Sequence, residues 1–250
     1  MRAAEFEKLR AFEESYWWYE AQRRNLIDAV GLLPLPRNAR VLDAGCGSGR
    51  NLSELARIFS IEAFGVDCSP HAAALWNGER DVHRCRASAN ALPFAEEDFD
   101  VVVSVDVFQC RELAPEAAMG EMARVLRSGG FVVLLAPAYD WMRSRHDAAV
   151  ESVRRFSRRR LRILAESAGL AVQRLTHRFP LFFPIIAAKR LLEKPADASD
   201  STRFDSDLTP IPRWLNGCLS AVARVERAVV RGWTVPFGST ILMVARKAGA

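Results

Sequence analysis

The sequence lacks the cysteine pattern of a disulfide-stabilised or zinc-binding protein. Its five cysteines are scattered without a C-x-x-C pair, and an odd number cannot all pair with one another. No run approaches the roughly 20 uninterrupted apolar residues of a membrane-spanning helix. The first residues are charged rather than apolar, which is not typical of a secretory signal. These absences predict a protein of the reducing cytoplasm.

A strong excess of one charge is also missing. The formal net charge of +5 permits an acidic partner without requiring one, and 50% hydrophobic residues in a chain of 250 can bury a sizeable core. The dense basic run Arg154–Arg160 has no longer basic stripe or RNA-type motif beside it. Binding of a nucleic acid is therefore the weaker interpretation of this run. Two other interpretations remain open: the arginines bind a carboxylate or phosphate, or they are solvated at the start of a helix that Ser157 caps.

A strand, a glycine-rich turn and a helix follow one another at positions 40–59. Three glycines, at 45, 47 and 49, allow the chain to turn tightly between the buried strand and the helix. A dinucleotide-binding turn would need a small residue at position 50, where Arg50 stands. Asp43, just before the turn, is poorly placed against phosphate but well placed against a cation. The turn therefore favours a ligand without phosphates over a nicotinamide cofactor.

The pattern Asp43-x-Gly45-x-Gly47-x-Gly49 resembles the first motif of the class I S-adenosylmethionine-dependent methyltransferases. Four further stretches resemble that family's later motifs in the right order, namely 63–67, 91–94, 99–103 and 121–130. The resemblance implies an α/β fold, a doubly wound seven-stranded mostly parallel sheet with N-terminal helices and a helical cap inserted before the last strand. It divides the chain into an N-terminal helical lid (1–38), a cofactor-binding core (39–178 and 238–250) and a helical cap (179–237).

The resemblance also implies the cofactor, S-adenosylmethionine, and no metal. Asp67, about 20 residues beyond the turn, is expected to accept hydrogen bonds from the ribose hydroxyls, an ordinary N-cap being the alternative. Ser88 stands where many relatives carry an aspartate against adenine, so backbone groups around Ala89 are expected to contribute. The full set of expected cofactor-binding residues is Asp43, Gly45, Gly47, Asp67, Cys68, Ser88, Ala89 and Asp106.

Four consecutive aromatic residues, Tyr16 to Tyr19, lie between two predicted N-terminal helices. One interpretation is a lid in which Tyr16 and Trp18 cover the cationic sulfur and the acceptor, because aromatic faces attract cations. The other is that the rings pin the second helix onto the sheet. Both interpretations are open at this stage.

The acceptor is expected near the loop 137–162, since loops beyond the carboxyl ends of parallel strands line the ligand crevice. We expect Tyr139 and Arg155 to contact it. His146 is the candidate general base, because imidazole titrates near neutral pH, although a surface histidine is an equal alternative. Cys110, where many relatives carry histidine, is either a nucleophile or a buried inert thiol.

Further departures from the family pattern are Gln109, Ser152 and Phe156. They motivate an alternative to catalysis, in which the chain is a non-catalytic protein of this fold acting as a binding partner or regulatory subunit. The main prediction is an enzyme that transfers a methyl group to a small-molecule acceptor of natural-product or glycan type.

The insertion before the last strand carries two apolar stretches. The first, 179–192, is too short and too proline-rich to span a bilayer, but it could cover an apolar pocket or make peripheral contact with a membrane surface. The second, 212–231, has Trp214, Cys218, Val222, Val225 and Val229 at helical spacing and predicts an amphipathic helix with this side buried in the cap. Between the two stretches, 193–207 predicts a mobile loop.

Overall fold

A seven-stranded sheet forms the centre of the fold. The computed structural model describes residues 3–76, 82–192 and 208–249, with the side chains of residues 3–5 excepted. The strands are β1 (Ala39–Ala44), β2 (Ile61–Asp67), β3 (Val82–Arg86), β4 (Phe99–Val105), β5 (Leu126–Pro137), β6 (Leu170–Arg178) and β7 (Thr240–Lys247). Their spatial order is β3-β2-β1-β4-β5-β7-β6, and β7 runs antiparallel to both of its neighbours. The predicted mostly parallel sheet is confirmed.

Helices cover both faces of this sheet. They are α1 (Ala3–Phe12), α2 (Trp17–Val30), α3 (Arg50–Ile58), α4 (Pro70–Ala73), α5 (Pro115–Val125), α6 (Arg145–Ala149), α7 (Arg158–Ser167), α8 (Phe183–Leu192) and α9 (Arg213–Val230). Val101 and Val103 of β4 pack on the side of α2 and α3, whereas Val102 packs on the side of α5 and α7. Because successive strand residues point to opposite faces, an unbroken valine run suits a strand that is covered on both.

Helix α5 ends directly at the start of β5. It ends at Val125, Leu126 is already extended, and Ser128, Gly129 and Gly130 lie inside β5. A Cβ on Gly130 would lie 2.9 Å from the carbonyl oxygen of Asp100. The glycines thus serve the close approach of β5 to β4, where the register shifts, rather than the end of the helix.

The C-terminal insertion packs against the outer side of α2. The backbone N–H of Trp17 donates to Asn216 Oδ1 at 2.9 Å, and Arg227 pairs with Asp28 at 2.7 Å further along both helices. A small apolar core forms between them from Ala21, Phe179, Phe182 and Ala223, with Trp17, Trp18, Ile186 and Leu219 at its edge. The loop predicted at 193–207 lies outside the described residues.

The helix predicted at 212–231 is present as α9, but its predicted buried side was wrong. Trp214, Val225 and Val229 are 70%, 63% and 62% exposed, while the buried residues of α9 are Ala223 and Glu226. The periodicity identified an apolar stripe correctly. It could not reveal that α9 meets α2 through polar contacts on its other side.

Candidate active site

A cavity of about 580 Å³ opens where β1, β2, β3 and β4 end. Its walls come from the loops that follow these four strands and from α1 and α2 on the opposite side. This is the topological position at which doubly wound sheets bind ligands. Of the expected cofactor-binding residues, those that line the cavity are Gly45, Gly47, Asp67, Cys68, Ser88, Ala89 and Asp106.

The glycine turn after β1 requires two of its glycines for different reasons. Gly45 and Gly47 have φ of +94° and +55°, which side-chain-bearing residues rarely adopt. A Cβ on Gly45 would lie 2.3 Å from a methyl carbon of Val107, whereas a Cβ on Gly47 would meet no protein atom within 4 Å. Gly45 therefore allows the turn to pack against the segment after β4, and Gly47 leaves backbone open beside the cavity.

Asp67 ties the glycine turn to the start of α4. Its two carboxylate oxygens accept hydrogen bonds from the backbone N–H groups of Gly47, at 2.9 Å, and Ser69, at 2.8 Å. Ser69 in turn caps α4. Asp67 thus has a structural role in the turn, and its carboxylate also lines the cavity. Its contact with a ribose remains a prediction.

Two buried carboxyl groups have raised pKa values. Asp43 is 1% exposed, lies behind the cavity wall and has no hydrogen-bond partner on either oxygen. Burial, and secondarily the charge of Asp67, raises its pKa to about 7. Asp106 lines the cavity with a strained φ of +53° and accepts a 3.1 Å hydrogen bond from Gln22 of α2. Burial raises the pKa of Asp106 to about 6, against the lowering effect of Gln22 and Arg155.

The aromatic residues before and within α2 mostly face away from the cavity. Trp18 stacks on Phe179 with ring centroids 4.4 Å apart, and Tyr16 packs edge-on against Phe12 at 5.3 Å. Neither is among the residues that line the cavity, whereas Tyr19 is. The rings of Tyr16 and Trp18 are thus engaged in packing, but against α1 and the insertion rather than against the sheet.

The expected acceptor contact Arg155 is buried and paired within the protein, and its contact with an acceptor stays a prediction. Its guanidinium is 9% exposed and makes two 2.9 Å hydrogen bonds to Asp147. Burial alone would raise the pKa of Asp147, but the pairing with Arg155 outweighs it and holds that pKa below its ordinary value. Tyr139 likewise stacks on His177 at 5.3 Å and does not line the cavity. Both side chains belong to the packing beside the site.

The candidate base His146 lies in α6 and does not line the cavity; His71 of α4 does. Cys110 lines the cavity, but burial raises the pKa of its thiol to about 12, so a reactive thiolate is disfavoured. The catalytic role assigned to His146 therefore stays a prediction without a cavity contact. Ser152 and Phe156 are both buried.

Several cavity residues were not predicted. On α2, Tyr19, Gln22 and Arg23 occupy one helical face at i, i+3 and i+4, which is the signal that could have identified them. Directly after α1, Glu13 accepts a hydrogen bond from the Ser48 hydroxyl of the glycine turn. Burial raises the pKa of Glu13, against the lowering effect of that bond. The remaining unpredicted polar residues are Arg50, Asn51, His71, Arg111, Glu112 and Glu151.

The cavity suits an S-adenosyl ligand. Its volume lies in the range of roughly 300–1,000 Å³ of small-molecule sites. Open glycine backbone at 47 lies next to the Asp67 carboxylate, and the unpartnered Asp43 carboxyl group behind the wall favours a cation over a phosphate nearby. Among the described residues, no group of three or more His, Cys, Asp or Glu side chains could hold a metal ion. That the reaction needs no metal stays a prediction.

The strand order, the glycine turn after β1 and the acid ending β2 define the class I S-adenosylmethionine-dependent methyltransferase fold. Residues 42–134 match the family described as "Methyltransferase domain". Over these residues the match agrees with the resemblance to class I S-adenosylmethionine-dependent methyltransferases that the motifs indicated.

Curated relatives match about half of the chain. A malonyl-[acyl-carrier protein] O-methyltransferase of Enterobacter lignolyticus is 36% identical over 123 residues, which are 48% of each chain. A demethylmenaquinone methyltransferase of Renibacterium salmoninarum is 34% identical over 114 residues, 45% of this chain and 46% of its own. The chain thus spans about half the length of these relatives.

A solved structure with the same fold covers nearly the whole chain. It is the putative methyltransferase in a complex with the Haloferax volcanii Trm112 methyltransferase activator, with a TM-score of 0.62 and 24% identity over 98% of this chain and 96% of its own. This similarity concerns the fold alone.

Proposed function

We propose that the protein is an S-adenosylmethionine-dependent methyltransferase acting on a small-molecule acceptor of natural-product or glycan type. The observation that carries the proposal is the cavity at the strand ends, where the open turn at Gly47 meets the carboxylates of Asp67 and Asp106. When bound, S-adenosylmethionine supplies a methyl group already activated on a cationic sulfur. The protein then has to align the acceptor and exclude water.

The cavity residues divide into two groups by their place in the fold. The turn at Gly47, with Asp67, Ser88 and Ala89, would hold the cofactor, and Asp106 would be oriented by Gln22. The N-terminal helices close the cavity from the other side through side chains that include Phe6, Leu9 and Tyr19. They provide the apolar cover that keeps water from the acceptor.

Proton removal would fall to a carboxylate in this arrangement. Asp106, with its pKa near 6, and Glu13, with a raised pKa, both line the cavity and would accept a proton from an acidic acceptor near neutral pH. An amine acceptor that has lost its proton before binding needs no base. The relatives are named for different acceptors, so their names support methyl transfer without selecting one.

Calorimetric titration of S-adenosylmethionine and S-adenosylhomocysteine tests the cofactor. We expect micromolar affinity for the wild type and a loss of at least about tenfold in Asp67→Asn, because a ribose hydrogen bond to a carboxylate is stronger than one to an amide. Glu62→Gln, an exposed acid earlier in β2, is the matched control and should bind like the wild type. Since Asp67 also holds two backbone N–H groups, thermal melting must show that Asp67→Asn is folded. Absence of binding to the folded wild type would refute the proposal.

The non-catalytic alternative is supported by Gln109 and Cys110, and by the similarly folded putative methyltransferase that forms a complex with the Trm112 activator. Transfer of a radiolabelled methyl group to small molecules of a cell extract separates the two functions. Labelled product that disappears in Asp106→Ala favours the enzyme. Intact cofactor binding without transfer to any fraction favours the binding partner.

A further inference from the structure

Helix α9 is amphipathic, but it turns its apolar stripe toward solvent. Trp214, Cys218, Val222, Val225 and Val229 recur at intervals of three or four residues over four turns, and all five are exposed. The opposite side of α9 is held to the protein by polar groups, such as Asn216 and Arg227. Singly exposed apolar residues are ordinary, whereas a continuous stripe of them marks a contact surface.

Helix α8 carries further exposed apolar residues. None of the residues of α8 is buried, and Ile185, Leu191 and Leu192 are 74%, 73% and 88% exposed. Ile186 of α8 and Leu219 of α9 pack against the same small core. Trp233, just after α9, is 72% exposed. We call these exposed apolar residues of α8, α9 and position 233 the α8–α9 surface.

Charge around the α8–α9 surface has one sign. Residues 179–192 and 208–237 contain six basic side chains, Lys189, Arg190, Arg213, Arg224, Arg227 and Arg231, and one acid, Glu226. Glu226 is buried and accepts a 2.7 Å hydrogen bond from the backbone N–H of Leu181. The acids of α2 that meet α9, Glu20 and Asp28, contact its protein-facing side. The solvent side is thus apolar with a cationic border.

We propose that the α8–α9 surface docks onto an anionic lipid bilayer. Exposed tryptophans, an apolar helical stripe and flanking arginines together are the composition of a helix that lies in a membrane interface. A second copy of the chain would suit the surface less well. A two-fold contact places equivalent residues opposite one another, so Arg213 and Arg224 of both copies would converge, whereas Arg231 already pairs with Asp28 at 3.8 Å. Anionic headgroups satisfy the same cations.

The test is co-sedimentation of the full-length protein with phosphatidylglycerol-containing vesicles. We expect the wild type to bind them and the double variant Val225→Glu, Val229→Glu to lose at least about tenfold in partition coefficient, because two exposed valines no longer enter the interface. Ile163→Glu, on α7 and 50% exposed, is the matched control and should bind like the wild type. All three positions are exposed, so the melting temperatures of the variants should be similar to that of the wild type.

Lipid charge and protein association provide the decisive controls. Residues 193–207, outside the described part, carry five acids and two basic side chains, so cationic vesicles must be compared with anionic ones. Binding to the anionic vesicles that weakens with salt supports the proposal. Equal sedimentation of the wild type and the double variant, or preference for cationic vesicles, would overturn it. A dimer by light scattering that the double variant dissociates, without vesicle binding, would assign the surface to a second copy instead.

Discussion

Neutralising the buried carboxyl group of Asp43 should stabilise the protein at alkaline pH. The side chain is 1% exposed without a hydrogen-bond partner, and burial raises its pKa from 3.8 to about 7. The folded state therefore retains a proton that the unfolded chain releases between these pH values. By linkage, stability contributed by the protonated group is complete below pH 3.8 and declines as the pH rises to about 7.

The size of this effect follows from the same shift in pKa. The shift corresponds to a change of about 4 kcal/mol in the free energy of unfolding as an upper limit. Because the protein relaxes around the charge, we expect a change of about 2–4 kcal/mol. Asp43→Asn has nearly the shape and charge of the protonated group, so it should match the wild type near pH 4. Near pH 8 it should melt about 5–15 °C higher, given about 2–4 °C for each kcal/mol in a chain of this size.

Thermal melting followed by circular dichroism across this pH range is the assay. Glu166→Gln, which removes an exposed acid on α7, serves as the control and should leave the pH dependence of the wild type unchanged. Parallel melting curves of the wild type and Asp43→Asn at every pH would refute the reasoning, because they would mean that Asp43 titrates alike in the folded and unfolded states.

Two further predictions concern the turn and the buried ion pair. Gly45→Ala should destabilise the protein by about 3 kcal/mol or more, and Gly47→Ala by only about 1–2 kcal/mol. Both substitutions place alanine in a left-handed backbone conformation, but only the methyl group at position 45 also collides with Val107. Urea denaturation measures both, and Val107→Ala should restore part of the loss in Gly45→Ala alone. Arg155→Ala should lower the free energy of unfolding by about 3–5 kcal/mol, because it leaves the buried carboxylate of Asp147 unpaired. Arg159→Ala, on the exposed start of α7, should change it by about 0.5 kcal/mol at most.

The sequence predicted the sheet, and most of the residues expected to bind the cofactor line the cavity, because local rules decide where both lie. A valine run, a glycine turn and an acid at a strand end have the same meaning wherever they occur in this fold, and Asp67 and Asp106 lie where expected. The acceptor side was predicted poorly because tertiary pairing decides it. Arg155 is held by Asp147, and Trp18 by Phe179, neither of which follows from spacing along the chain.

In the insertion, too, the local pattern was predicted but the tertiary contacts were not. Periodicity located the helix 213–230 but assigned its apolar stripe to the interior, since such stripes usually face a core. None of the described residues of 179–237 lines the cavity, so the expected cap over the site is not seen in that part of the chain. The division of the chain into lid, core and cap remains a prediction.

Helix α2 has three neighbours at once: the sheet through Leu26, the cavity through Gln22, and α9 through Asp28. A displacement of α9 along α2 would therefore change how Gln22 meets Asp106. Such coupling is reciprocal. If a contact at α9 changes the affinity of the cavity for its ligand by a given factor, ligand binding changes the affinity of that contact by the same factor. Through α2, ligand binding in the cavity and binding at the outer surface of α9 would thus influence each other.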